Sequence, residues 1–271
     1  MGCVSILKFF ALSISLSLSR SDNSLFPQGK DMIIVFSMPK SGTTSLNNFF
    51  NGSGYRTVHF LFSCDDLVYP VPKVTLKNTT WKQWTLHDVG PVLTRLYDKG
   101  RGVCPAGLYV QQALVEKKDP FHYFLKKGHR VIIETNFRGY GKSDRAIYPQ
   151  IDALDNILDA YPQATYVVYQ RNITNHISSL MAWSHSTFVT NLRLSHYVPR
   201  SVSSESNANV IRYFIESYYE NTLNKLRSKG IPFIHADVED EESLYMLKSK
   251  LGIHNDMFVG HDKSNTPHWP S

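Results

Sequence analysis

The sequence predicts an α/β fold: a doubly wound domain with a central parallel sheet of about five strands flanked by helices, on three observations. Short β-rich stretches alternate with segments of helical spacing along the chain. The first stretch is continuously apolar, as a strand covered on both faces must be. The first of them ends in a P-loop-like turn, Pro39-Lys40-Ser41-Gly42, of the kind that opens a helix at a strand's carboxyl end.

The first strand is the run Met32-Ile33-Ile34-Val35-Phe36, and residues 55–60 form the next. Residues 71–107 are punctuated by Pro, Gly and Trp and read as irregular. Residues 130–135 and 164–169 repeat the strand pattern. Between them, Ile147, Ile151, Leu154, Leu158 and Tyr161 fall at helical spacing and predict one helix. It stops before Pro162, because the residue preceding a proline is pushed out of the α region. Val210, Phe214, Tyr218 and Leu226 predict another helix, closed by Gly230. Residues 231–236 are the last strand, and Leu244, Leu247 and Leu251 mark the last helix, with Gly252 in the C-cap position. Ligands of such folds collect at the carboxyl ends of the strands.

Composition narrows the function classes. Of 271 residues 42% are hydrophobic and 19% charged, with 15 Gly and 13 Pro, which excludes a disordered chain, a collagen-like fibre and a low-complexity array. The net charge of +6 is spread along the chain and suits a small anionic ligand; no nucleic-acid partner is expected. Residues 30–271 are assigned to the α/β domain. Residues 1–19 carry Lys8 and then an apolar run diluted by serine, too short to span a bilayer, with Ser17 and Ser19 before Arg20. A signal peptide is expected there, with an uncleaved anchor or a disordered leader as alternatives. A signal peptide would send the protein to the Golgi lumen or the exterior; without one it stays cytoplasmic. Cys3 leaves with a leader, so Cys64 and Cys104 either pair in the secretory pathway or remain buried thiols. Asn51, Asn78 and Asn172 each begin a glycosylation sequon.

Pro39-Lys40-Ser41-Gly42-Thr43-Thr44-Ser45-Leu46 supplies what a phosphate needs: a glycine-containing turn, backbone N–H groups, a helix N-terminus and a mobile lysine. The Walker A pattern would require glycine at position 37 and lysine at 43, where the chain has Ser37 and Thr43. The Walker lysine reaches the β- and γ-phosphates and the next hydroxyl holds Mg²⁺. With Lys40 two residues before Gly42 that arrangement is broken, which disfavours a triphosphate hydrolase, and no metal is expected.

The segment from Val35 to Leu46 resembles the 5′-phosphosulfate loop, P-K-[ST]-G-T-[TS], of the sulfotransferases that use 3′-phosphoadenosine 5′-phosphosulfate (PAPS). The resemblance implies that Lys40 contacts the phosphosulfate bridge. It also implies that Lys40, Ser41, Gly42, Thr43 and Thr44 hold the 5′-phosphate of PAPS and of its product, adenosine 3′,5′-bisphosphate (PAP). Farther on, a strand runs into Gln170-Arg171-Asn172 and a helical stretch through His176, Ser178 and Ser179. This is similar to the family's 3′-phosphate signature R-N-P-x-x-x-x-x-S, which assigns Arg171 and Ser179 to that phosphate, with Ser178 as an alternative. A planar guanidinium and a hydroxyl inside the next helix suit a dianion. Ile173 stands where the family usually has proline, and Asn175 where an acidic residue is common. A glycan on Asn172 would clash with this role, so that sequon is expected to be unmodified.

Sulfuryl transfer requires a base for the acceptor and stabilisation of the departing phosphate. Glu134 ends the strand Val131-Ile132-Ile133, and its placement resembles the catalytic glutamate of Golgi-type sulfotransferases, found in a pattern like E-K-[ST]-x-x-Y. Thr135 replaces the lysine, and Asn136 stands where cytosolic relatives carry a histidine. Thr57-Val58-His59-Phe60 resembles the G-[YF]-x-x-x-H segment of algal, plant and fungal sulfotransferase-like proteins, which makes His59 an alternative base or an acceptor contact. Lys263 and Asn265 lie where the family's last loop returns to the nucleotide. Trp81, Trp84, Trp183, Phe188 and Tyr197 fall in segments suited to acceptor walls or to core, and Arg138, Lys142 and Arg145 suit an anionic sugar or a solvated face. The resemblance covers residues 32–268 and implies transfer of a sulfuryl group to a hydroxyl or amine of a small-molecule or glycan acceptor, with no stable membrane span. An Mg-dependent kinase-like enzyme and a catalytically silent nucleotide-binding module are the alternatives.

Overall fold

The structure, a computed structural model, describes residues 32–63, 103–138, 146–183 and 187–253. It opens with β1 (Ile33–Phe36), α1 (Thr43–Gly52), β2 (Thr57–His59), β3 (Leu61–Ser63) and β4 (Val103–Pro105). Helices α2 (Ala106–Val115) and α3 (His122–Lys126) lead to β5 (Val131–Ile133), then to the short strands β6 (Phe137–Arg138) and β7 (Ala146–Ile147). The chain continues through α4 (Pro149–Asp152), α5 (Leu154–Ala160), β8 (Thr165–Gln170), α6 (Ile173–Trp183), α7 (Thr187–Leu194), α8 (Arg200–Ser203) and α9 (Asn207–Ser228). It ends with β9 (Phe233–Asp237) and α10 (Glu241–Lys250).

The five stretches predicted as strands form the parallel part of one sheet, in the order β2-β5-β1-β8-β9, with Ile34 facing Ile132 on one side and Tyr166 on the other. The chain leaves β1 for β2, returns to β5 between them and then crosses to β8 and β9 on the other side, so the crossovers leaving β1 and β8 run in opposite directions and part at the carboxyl ends of these strands. Open α/β sheets bind their ligands in the crevice where crossovers part in this way. Two antiparallel strands, β3 and β4, extend the β2 edge, and β6 pairs with β7 in a separate ribbon.

Side chains alternate across the sheet, as period-two strands require. Ile34, Phe36, Val58, Ile132, Tyr166 and Val168 pack into the larger core with α2, α3 and α9. Ile33, Val35, Val131, Ile133, Val167 and Tyr169 face the other layer, built by Leu46, Phe49 and Phe50 of α1 and by Leu244 and Leu247 of α10. Each fully buried Leu or Phe of α1 contributes about 1.5–3 kcal/mol of transfer free energy, which holds the start of α1 firmly at the end of β1.

The helix ends differ in one respect that bears on function. Ser206 caps α9 by accepting from Asn209 N–H at 3.2 Å, and Asp240 caps α10 by accepting from Glu242 N–H at 3.2 Å. At the N-cap of α1 stands Gly42, in the left-handed region at φ +84° and with no side chain to cap the helix. The predicted stops at Gly230 and Gly252 hold, at φ 64° and 63°.

One predicted helix is corrected. Ile147, Ile151, Leu154, Leu158 and Tyr161 do not share a helix: Ile147 belongs to β7, Ile151 to α4, Leu154 and Leu158 to α5, and Tyr161 is the C-cap of α5, with the two helices broken at Ala153 with φ −117°. Pro149 restarts the helix at its first position, where proline's missing N–H costs nothing. Gln150 is drawn inward, its amide donating to Val35 O at 3.2 Å and its carbonyl accepting from Thr135 N–H at 3.4 Å. Among the described residues no helix is long and apolar enough to cross a membrane. Residues 1–19, Cys64, the Cys104 side chain, Asn78, Trp81, Trp84, the Arg138 side chain, Lys142, Arg145, Lys263 and Asn265 lie outside the described residues or side chains.

Candidate active site

Five parallel strands end on one edge, and each delivers a polar or charged residue there: Lys40 after β1, His59 at the end of β2, Glu134 after β5, Arg171 after β8 and Glu239 after β9. Among the described residues the non-glycine positions with positive φ are Lys40 (66°), Phe60 (36°), Lys117 (55°) and Glu134 (37°), and all but Lys117 lie on this edge. Held backbone strain of this kind collects at functional sites.

The turn after β1 is tied from three sides. Ser41 Oγ donates to Met38 O at 2.7 Å, closing the turn on itself. Thr43 Oγ1 donates to Glu134 Oε2 at 2.6 Å, joining the start of α1 to the end of β5. His176 Nε2–H donates to Pro39 O at 2.7 Å, which fixes the tautomer with the proton on Nε2. Gly42 is sterically required. A Cβ there would stand 2.6 Å from Val238 Cγ2, and at φ +84° an L side chain is strained as well. Thr44 is exposed in the first turn of α1.

Lys40 is half-buried with its Nζ 5.8 Å from the Trp183 ring centroid, a cation–π approach. Burial, then the Arg171 charge, hold its ammonium below the ordinary lysine pKa, and Glu134 only partly offsets them. Arg171 Nη1 donates to Lys40 O at 3.4 Å, so two cationic residues from adjacent strands converge on one turn. Arg171 also pairs with Glu239, Nε to Oε1 at 2.7 Å.

Helix α6 presents one face to this turn. His176, Ser179 and Trp183 are spaced three and four residues apart and share that face, on which His176 bonds Pro39 and Trp183 underlies Lys40. Ser179 is half-buried between them. Ser178, the alternative to Ser179, is exposed on another face, its Oγ donating to Thr174 O at 2.9 Å. Asn172 caps the helix, its Oδ1 accepting from Thr174 N–H at 3.0 Å. Ile173 is the first helical residue, the position that proline favours, so its departure from the family pattern leaves the turn in register. Phe188 is buried in the core and Tyr197 is half-buried at its edge, both packed on Phe214.

Glu134 is 5% exposed. Its Oε1 accepts from Asn136 Nδ2 at 2.9 Å, and His59 Nε2 stands 3.5 Å from Oε2. Burial pushes its pKa up, but His59, Thr43 and Asn136 outweigh that and hold the carboxyl below its ordinary range. His59 is the more exposed of the pair, with 20% of its side-chain surface accessible against 7% for Glu134. Among the described residues no group of three or more His, Cys, Asp or Glu could hold a metal ion.

Sequence reasoning missed two residues. His176 was read only as part of a helical stretch, although a histidine three residues before Ser179 shares its helix face. Glu239, in the charged run Val238-Glu239-Asp240-Glu241-Glu242, carries no local signal that it turns back to Arg171.

Burial lowers the His176 pKa to about 4, from 6.5 in an exposed imidazole. Between these values the unfolded chain binds the extra proton, so stability present above pH 6.5 is lost as pH falls toward 4, by about 1.4 kcal/mol per unit at most. His176→Gln keeps a donor for Pro39 O and does not titrate. Denaturant unfolding at pH 7 and pH 5 is expected to show wild type losing about 2 kcal/mol more than the variant over that interval; parallel losses would mean that His176 is not the group involved.

Comparison of the chain with models of protein families, with curated proteins and with solved structures finds no match.

Proposed function

We propose that the protein is a sulfotransferase, transferring a sulfuryl group from PAPS to a hydroxyl or amine of an acceptor by in-line displacement. The observation that carries this reading is the convergence of Lys40 and Arg171 on one glycine turn, with Arg171 Nη1 3.4 Å from Lys40 O, at the central crevice of a parallel sheet. Two phosphate-binding groups on adjacent strands match a nucleotide phosphorylated at both ends of its ribose. The carboxylate base that the reaction needs is hydrogen-bonded to the same turn through Thr43.

In this reading the amides of residues 40–44 and the positive end of α1 hold the 5′-phosphate, and Lys40 neutralises charge on the bridging oxygen as the S–O bond breaks. Arg171 and Ser179 hold the 3′-phosphate. The acceptor oxygen or nitrogen bonds to sulfur, PAP departs with the electron pair of the broken bond, and the acceptor proton passes to the Glu134–His59 pair. Glu134, held ionised, is the base of the pair, and His59, the more exposed partner at 3.5 Å, is the alternative. Most of the rate enhancement comes from positioning and charge stabilisation.

The test is incubation with PAPS labelled in its sulfuryl group and a mixed extract of glycans, sterols, phenols and small metabolites, with Lys40→Ala as control. Label is expected in an acceptor with wild type and at least a hundredfold less with Lys40→Ala, the range for one removed charge-stabilising group. PAP binding without labelling of any acceptor would support the catalytically silent module instead.

A further inference from the structure

Arg171 is not held in the structure as a bare cation. Its Nε donates to Glu239 Oε1 at 2.7 Å, and Asn175 Nδ2 donates to Glu239 Oε2 at 2.8 Å, so the carboxylate is gripped by the strand end and by α6 together. The Arg171 side chain is 11% exposed and that of Glu239 25%. A carboxylate at this distance neutralises the guanidinium and occupies one edge of its planar fork, the geometry in which arginine receives a phosphate.

The backbone beneath Glu239 is anchored. Val238 N–H donates to Gln170 O at 2.9 Å, Glu239 N–H to Asp237 Oδ1 at 2.9 Å and Asp240 N–H to Asp237 O at 3.3 Å. Only the Glu239 side chain needs to rotate for its carboxylate to leave Arg171. An anion that replaces it must compete with a monoanion already in place, and a phosphate dianion does so where a sulfate ester or a carboxylate, each of single charge, does not.

We propose that Glu239 is the built-in counter-anion of the Arg171 site, setting a charge threshold that a dianionic phosphate passes by displacing it. The inference rests on Arg171 as the 3′-phosphate ligand and adds a specificity-determining residue to that reading. It fixes the sign of a substitution: removing the charge of Glu239 tightens the bisphosphate, whereas a residue that merely oriented Arg171 would weaken it when changed.

The experiment is calorimetric titration of wild type and Glu239→Gln with PAP and with AMP. Gln keeps hydrogen-bonding groups for Arg171 and Asn175 and removes only the charge. PAP is expected to bind the variant roughly tenfold tighter, the effect of about 1.4 kcal/mol, with AMP unchanged. Unchanged or weaker PAP binding by the variant, in a wild type that prefers PAP to AMP, overturns the inference and leaves the sulfotransferase reading standing. A wild type without that preference, together with a variant that gains it, supports the inference and removes PAPS as the wild-type substrate. No preference in either chain overturns both.

Discussion

Arg171→Ala is expected to weaken PAP binding by roughly a hundredfold, about 2.7 kcal/mol, and AMP binding by less than about threefold. Charge-assisted hydrogen bonds from a guanidinium contribute roughly 1.5–3 kcal/mol, and AMP has no phosphate at the end of the ribose that Arg171 faces in this reading. The variant also leaves Glu239 without its 2.7 Å partner, which adds repulsion against the 3′-phosphate. Arg171 meets the first loop through its Nη1 at Lys40 O, 3.4 Å away, and without it the loop retains its bonds through Ser41, Thr43 and His176. Equal losses for the two ligands in calorimetry would remove Arg171 from the 3′ role.

Glu134→Gln is expected to lower turnover by about 10²- to 10⁴-fold, the range for loss of a general base, with PAP affinity within about twofold of wild type. The separation of these effects follows from the local bonding. Gln has the same shape, its Oε1 can accept from Thr43, and its new N–H can donate to Asn136, whose buried Oδ1 has no hydrogen-bond partner among the described residues, once that amide turns over. The turn therefore keeps its tie to β5 and only the proton acceptor is lost. Undiminished turnover in a single-turnover assay would assign the base elsewhere, with His59 the adjacent candidate at 3.5 Å.

The central strands β1, β5 and β8 were legible because each is buried on both faces, and β2 and β9 because short β-rich stretches follow turn signals there, signals independent of tertiary detail. The long helix through Phe214 and Tyr218 was legible for a related reason, since its stripe repeats over 22 residues and ends at a glycine. Where an element is short, the pattern failed. β7 was taken for the start of a helix because Ile147 and Ile151 happen to be four apart, and the antiparallel pair β3 and β4, with three residues each, carries too little periodicity to see. At the site, residues inside recognisable loops were found: Lys40, Gly42 and Arg171. Glu134, which reaches the first loop through Thr43, was found from its place at a strand end, but His176 and Glu239 were not. His176 reaches Pro39 over 137 positions and Glu239 reaches Arg171 over 68, contacts that exist only once β1, β8 and β9 lie side by side.

The account depends on one nucleotide lying across the ends of β1 and β8. The most direct measurement is a crystal structure of the protein with PAP. It is expected to place the 5′-phosphate on the backbone amides of residues 40–44 and the 3′-phosphate within hydrogen-bond distance of Arg171 and Ser179, with the Glu239 carboxylate turned away. A PAP molecule bound with its 3′-phosphate in solvent, or outside the crevice at β1, would contradict it.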